Sequence, residues 1–168
     1  MKVYSSENIR NVALIGHGGS GKTSLMELVL YETGVIKRVG NVEDGNTVSD
    51  YDNMEIETKH SINMAMIPVE YKDVKINFID TPGLLDFENE MYTAIQAAAA
   101  ALLVIDAGSG IQVGTEKAWN FCKELNKPVF IMIKRKDKDE YVFVMTAWKE
   151  GKHPEYLIEL AKNLPSLK

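Results

Sequence analysis

The sequence predicts an α/β fold: a doubly wound, mainly parallel sheet with helices on both faces. Three observations carry that expectation. Short β-forming runs alternate with helical patterns along most of the chain, the order that builds parallel βαβ units. Two of those runs end in residues suited to ligands, a glycine cluster after Ile15 and Asp80 after Ile79, and open α/β sheets bind at the carboxyl ends of strands. Finally, 168 residues with 45% apolar and 26% charged content suit one globular domain spanning 1–168.

Asn11–Ile15 is a short apolar strand, and Leu25, Leu28 and Val29 place a helix from Ser24 to about Thr33. From Gly40 to Asn63 the chain is polar with weak periodicity, either a surface loop or a switch segment ordered by a ligand, the second being favoured. Met64–Tyr71 and Val74–Ile79 read as two strands joined by the turn Lys72-Asp73. The alanine-rich stretch Met91–Ala101 favours helix, and Ala101–Ile105 is a buried strand closed by Asp106. Thr115–Leu125 is an amphipathic helix whose Trp119 and Cys122 pack inward, and Pro128–Ile133 is another buried strand. Tyr141–Ala147 reads as a strand and Pro154–Leu164 as a closing helix.

Composition narrows the function classes. With 19 Lys and Arg against 24 Asp and Glu, a net charge of −5, there is no general basic field to collect nucleic acid. Cys122 is the single cysteine, which excludes an internal disulfide and suits a reducing compartment, so the cytoplasm is the expected location. The longest apolar run, Ala97–Ile105, has nine residues, where a membrane span needs about 20. His17, His60 and His153 lie far apart without Cys or His partners at ligand spacing, which argues against structural zinc. No membrane partner is expected, and the chain is expected to be a monomer.

The strongest motif is Gly16-His17-Gly18-Gly19-Ser20-Gly21-Lys22-Thr23, a full G-x-x-x-x-G-K-[ST] between a strand and a helix, with Ser24 following. Backbone N–H groups turn inward around a phosphate there, which requires glycine at the tight positions. The helix adds the positive end of its dipole, Lys22 supplies a point charge to the terminal phosphates, and the Thr23 hydroxyl is a Mg²⁺ ligand. This makes the fold a P-loop NTPase.

A second motif, Asp80-Thr81-Pro82-Gly83, begins 58 residues after Lys22 at the end of a strand. Asp80 is placed to hold Mg²⁺ through water, and the Gly83 N–H to approach a γ-phosphate, so Lys22 and Gly83 are the expected catalytic groups.

Ile9 to Thr23, Val42 to Asp52 and Asp80 to Gly83 together resemble the phosphate loop, first switch and second switch of elongation factor G-like translational GTPases, specifically their amino-terminal GTP-binding domain. The resemblance covers residues 1–137. It implies GTP or GDP as bound nucleotide, Mg²⁺ as cofactor, slow intrinsic hydrolysis, and stimulation by the ribosome in full-length relatives, whose ribosome-contacting domains lie outside this chain. It gives His17, Gly18, Gly19, Ser20, Gly21, Lys22, Thr23 and Ser24 to the nucleotide, Thr23, Ser61 and Asp80 to the metal, and Asp137 to the guanine base. Thr146-Ala147 stands where a Ser-Ala turn contacts the guanine carbonyl in small GTPases.

Two departures set further expectations. Leu84 stands where the family usually places a water-orienting histidine, so turnover is expected to be weak. The base-reading Asn-Lys-x-Asp becomes Lys134-Arg135-Lys136-Asp137, which relaxes guanine selectivity. Residues 138–168 lack the family's motifs and read as a closing strand and helix, rearranged or of other origin. The alternatives to a weak GTPase are a catalytically impaired nucleotide-binding module or truncated remnant, and an ATP-using P-loop kinase; the last lacks a recognisable lid or acceptor site.

Overall fold

The structure is a computed structural model and describes residues 2–134 together with the backbone of 141–144. Its sheet has six strands: β1 (Ile9–Ile15), β2 (Ala65–Tyr71), β3 (Val74–Asp80), β4 (Ala100–Asp106), β5 (Val129–Lys134) and β6 (Tyr141–Val144), in the order β2-β3-β1-β4-β5-β6. The four central strands run parallel, with β1 between β3 and β4, while β2 and β6 pair antiparallel at the two ends. Helices α1 (Lys22–Glu32), α2 (Asn53–Thr58), α3 (Glu88–Ala97) and α4 (Val113–Glu124) complete the described part.

The alternation of side chains along β1 and β4 divides the core between two faces. Ala13, Ile15, Leu103 and Ile105 join Met91, Ala94, Ile95, Ala118 and Cys122 under α3 and α4. Leu14 and Val104 point the other way and pack with Leu25, Met26 and Leu30 of α1. Both faces are thereby covered, as the doubly wound class requires.

Several boundaries differ from the sequence expectation. Helix α1 begins at Lys22 rather than Ser24, because Gly21 takes the left-handed conformation (φ 94°) at its N-cap and the chain is helical at once. Helix α3 ends at Ala97 instead of Ala101: Ala98 is extended (ψ 153°) and the Ala99 N–H donates to Asn11 O at 2.9 Å. Pairing with β1 has overridden the helical preference of the alanines. The 40–63 segment, read without secondary structure, contains α2, whose Asp52 and Glu55 form a capping box. Strand β2 starts one residue later than expected, at Ala65, and its ladder with β3 runs unbroken through the exposed Pro68. The strand expected over Tyr141–Ala147 is described as Tyr141–Val144, a hairpin partner of β5. Asp137, Thr146, Ala147 and the helix expected over Pro154–Leu164 lie outside the described residues.

Candidate nucleotide site

The site is assembled at the carboxyl ends of β1 and β3, the two strands carrying the motifs. Gly16, Gly19 and Gly21 have φ of 142°, 75° and 94°, so the loop between β1 and α1 bends through backbone conformations that other residues rarely adopt. The curve ends on the first turn of α1, where N–H groups lack helical acceptors and the dipole favours an anion.

Lys22 is 6% exposed, and its Nζ donates to Gly16 O at 3.1 Å and His17 O at 3.0 Å. An ammonium has three protons, so two main-chain contacts hold the group while it remains a cation beside the loop. Burial pushes its pKa down to about 8, opposed by the nearby charges of Asp80 and Asp50. Thr23 Oγ1 donates to Asp80 Oδ2 at 3.0 Å, joining the first turn of α1 to the end of β3. Asp80 is 2% exposed, and burial raises its pKa to about 6 against the counteracting charge of Lys22 and the Thr23 hydroxyl. Among the described residues its Oδ1 has no donor at hydrogen-bond geometry, although the Ser49 hydroxyl lies close enough to the carboxylate to pull its pKa down. A buried carboxylate oxygen without a donor is costly alone and suits a cation or its bound water.

The 40–63 segment supplies the opposite wall. Asp50 accepts from Ser61 Oγ at 2.6 Å and from Thr47 Oγ1 at 3.4 Å, and burial raises its pKa. Glu55, 3% exposed, accepts the Ile62 and Asn63 N–H groups at 2.9 and 3.0 Å, which holds the chain around Ser61 against α2. A cavity of about 280 Å³ results, lined by Gly18, Gly19, Gly21, Lys22, Thr23 and Ser24, by Asn41, Val42 and Glu43, by Asp50 and Ser61, by Gly83 and Leu84, and by Lys134. Asp80 lies beneath this surface, behind Thr23.

Not every expected residue turns its side chain to that cavity. His17 packs against α4, where a Cβ on Gly114 would come 2.7 Å from His17 Nδ1, and that nitrogen is buried without a hydrogen-bond partner among the described residues. The Ser20 hydroxyl is buried under the loop and likewise makes no hydrogen bond among the described residues. Gly83 sits directly on the phosphate loop: a Cβ there would fall 2.6 Å from Gly18 N and 2.6 Å from Lys22 Nζ. Sequence reasoning missed Asp50 and Glu55 as site-building groups, although the Asp52-x-x-Glu55 spacing announces the cap of α2.

The family model described as the elongation factor Tu GTP binding domain matches residues 7–162. The chain belongs to this family. The match extends past Asp137, the limit set for the resemblance, and takes in most of the tail read as lacking the family's motifs. Relatives of this GTP-binding domain include an elongation factor G-like protein of Mycobacterium tuberculosis, 38% identical over 129 residues, which are 77% of this chain and 18% of that protein. A mitochondrial ribosome-releasing factor 2 of Candida dubliniensis is 36% identical over 156 residues, 93% of this chain and 19% of the factor. A crystal structure of a Thermus thermophilus protein superposes with a TM-score of 0.72 at 40% identity, covering 74% of this chain and 19% of that one. A bacterial selenocysteine-specific elongation factor, at 21% identity and a TM-score of 0.57, shares the fold. The chain spans about a fifth of the length of these relatives. Among the described residues no helix is long and apolar enough to cross a membrane.

Of the residues that depart from the GTPase pattern, Leu84 and Lys134 are described and both line the cavity. Leu84 follows Gly83, and its Cδ2 lies 3.4 Å from where a Cβ on Gly18 would stand, so an apolar branch rests against the phosphate loop. Lys134 ends β5 opposite Asp106 of β4 and lines the same cavity as Lys22.

Proposed function

We propose that this domain binds a guanine nucleotide with Mg²⁺ and hydrolyses GTP weakly. The observation that carries this reading is the joining of a glycine loop, a buried Lys22 ammonium and the Thr23–Asp80 pair around one cavity. Main-chain N–H groups from His17 to Thr23 hold the phosphates, and Lys22 balances their charge. The donor set fits Mg²⁺, which takes a few hard oxygens and keeps some of its water: Thr23 and Ser61 offer hydroxyls, and Asp80 has an unengaged buried oxygen. When bound, the ion neutralises charge on the terminal phosphates. Because Thr23 and Ser61 each donate their proton to a carboxylate, their oxygen lone pairs are left for such an ion. Asp137 and Thr146-Ala147, which lie outside the described residues, are the proposed base contacts.

Phosphoryl transfer to water depends on positioning and charge stabilisation. Here the Gly83 N–H and Lys22 address the γ-phosphate, while Leu84 cannot accept a hydrogen bond from the attacking water, which supports low turnover. A second reading, a nucleotide-binding module without catalysis and with relaxed base choice, is favoured by Leu84 and Lys134. In a longer protein built like the relatives above, the ribosome is the proposed partner and the cytoplasm the proposed location. Calorimetric titration of the chain with GTP, XTP and ATP in Mg²⁺, paired with steady-state phosphate release by the chain and by Lys22→Ala, tests the proposal. Guanine-preferring binding with slow, Lys22-dependent release supports the GTPase; binding without release supports the module; no heat with any triphosphate rejects both.

A further inference from the structure

Glu27 is a buried carboxylate for which phosphate or metal binding has no direct use. It lies on α1 one helical turn beyond Thr23 and is 1% exposed. Its Oε2 accepts the Gly40 N–H at 2.8 Å and its Oε1 accepts the Val48 N–H at 2.6 Å. Those two amides are the ends of the loop that brings Asn41, Val42 and Glu43 to the cavity wall. The neck between them is tight. Asn41 N–H donates to Asn46 Oδ1 at 2.7 Å, and a Cβ on Gly40 would fall 2.6 Å from Asn46 O and 2.7 Å from Glu27 Oε2. Two residues beyond Val48, Asp50 gathers the hydroxyls of Thr47 and Ser61.

Backbone N–H bonds to an ionised carboxylate are among the stronger hydrogen bonds, and removing one from a buried charge costs its desolvation as well. Opening the neck would do that at Glu27 twice. We propose that Glu27 is a positioning residue of the nucleotide site, a two-pronged clasp fastening both ends of the 40–48 segment to the helix whose first turn carries Lys22 and Thr23. Movement of the phosphate-bearing turn is thereby transmitted to the segment holding Asp50 and Ser61, and the reverse also holds. This deepens the proposed nucleotide reading and rests on it.

Hydrogen exchange on the full chain, without ligand, tests the clasp directly. Glu27→Gln keeps the shape and removes one acceptor, and exchange at Gly40 and Val48 is expected to quicken about tenfold while amides of β4 and β5 stay protected. Gly40→Ala, which crowds the neck from the loop side, gives the same pattern and serves if Glu27→Gln does not fold. Dissociation of fluorescent GTP and GDP in Mg²⁺ then tests the coupling: the triphosphate is expected to leave about tenfold faster from either variant, and the diphosphate by no more than about threefold. Unchanged exchange at the neck overturns the clasp. Equal acceleration of both nucleotides overturns the coupling and leaves Glu27 a plain structural staple. A wild-type chain that binds neither nucleotide, with exchange as expected, overturns the nucleotide reading instead.

Discussion

Asp80→Asn should make the nucleotide-free domain respond to pH differently from the native chain, with a sign fixed by burial. The native carboxyl has its pKa raised from 3.8 to about 6, so between those values the folded state binds more protons than the unfolded state. Stability from this group is therefore lost as pH rises through that window. The ionisation penalty grows from roughly 1–2 kcal/mol at pH 5 to about 3 kcal/mol at pH 7, at 1.36 kcal/mol per pKa unit. Asparagine has no such titration. In the native chain Lys22, with its pKa near 8, stays largely charged over the same range; loss of the Asp80 charge lowers that pKa further in the substituted chain, and the uncharging of Lys22 with rising pH adds to the difference in the same direction. The stability difference, substituted chain minus native, should thus increase by about 1 kcal/mol from pH 5 to pH 7, a relative shift of about 0.5–1 M in urea midpoint. Urea unfolding followed by circular dichroism at pH 5, 6 and 7 measures it. A flat difference, or one that falls with pH, would refute the assignment of Asp80 as a carboxylate held against its own desolvation. The same substitution should abolish Mg²⁺-dependent nucleotide binding, so the group costs stability where it serves the site.

Three further outcomes follow from named contacts. Gly83→Ala forces a methyl to within 2.6 Å of Gly18 N and Lys22 Nζ; backbone cannot give way there, and nucleotide affinity should fall at least about tenfold by calorimetry. Leu84→His supplies a hydrogen-bonding side chain beside Gly83, and phosphate release should accelerate by about tenfold or more in kcat with KM little changed. Cys122 is buried with its thiol pushed up to about 12, so it should resist a thiol-specific disulfide reagent at pH 8 until the domain is unfolded, as absorbance of the released thiolate would report.

The parallel strands and the phosphate loop were legible because each rests on local chemistry. Val129–Ile133 is apolar throughout, with Val129, Ile131 and Ile133 buried and Phe130 and Met132 half-buried, and the glycines of the loop sit at the backbone angles their spacing implies. The alanines after Ala97 were misread because alanine's helical preference is weak beside a partner strand, and only the neighbouring Asn11 decides the matter. Glu27 and Asp50 were invisible for a different reason. A single acidic residue in a helix or polar loop ordinarily faces water, and what buries these two is the return of a segment 13 to 21 residues away for Glu27, and 11 residues away for Asp50. Such pairing depends on the path of the chain in space, which no window of sequence contains.

Pro68 gives the outer rim of the sheet a property of its own. The ladder from Ala65 to Tyr71 passes through it without a break, so the imide nitrogen faces away from β3. An approaching extended chain would meet a missing donor there, flanked by the outward-facing Met66 and Glu70. Strand-by-strand accretion at this border is discouraged, so the outer edge of β2, unpaired among the described residues, does not invite fibrils.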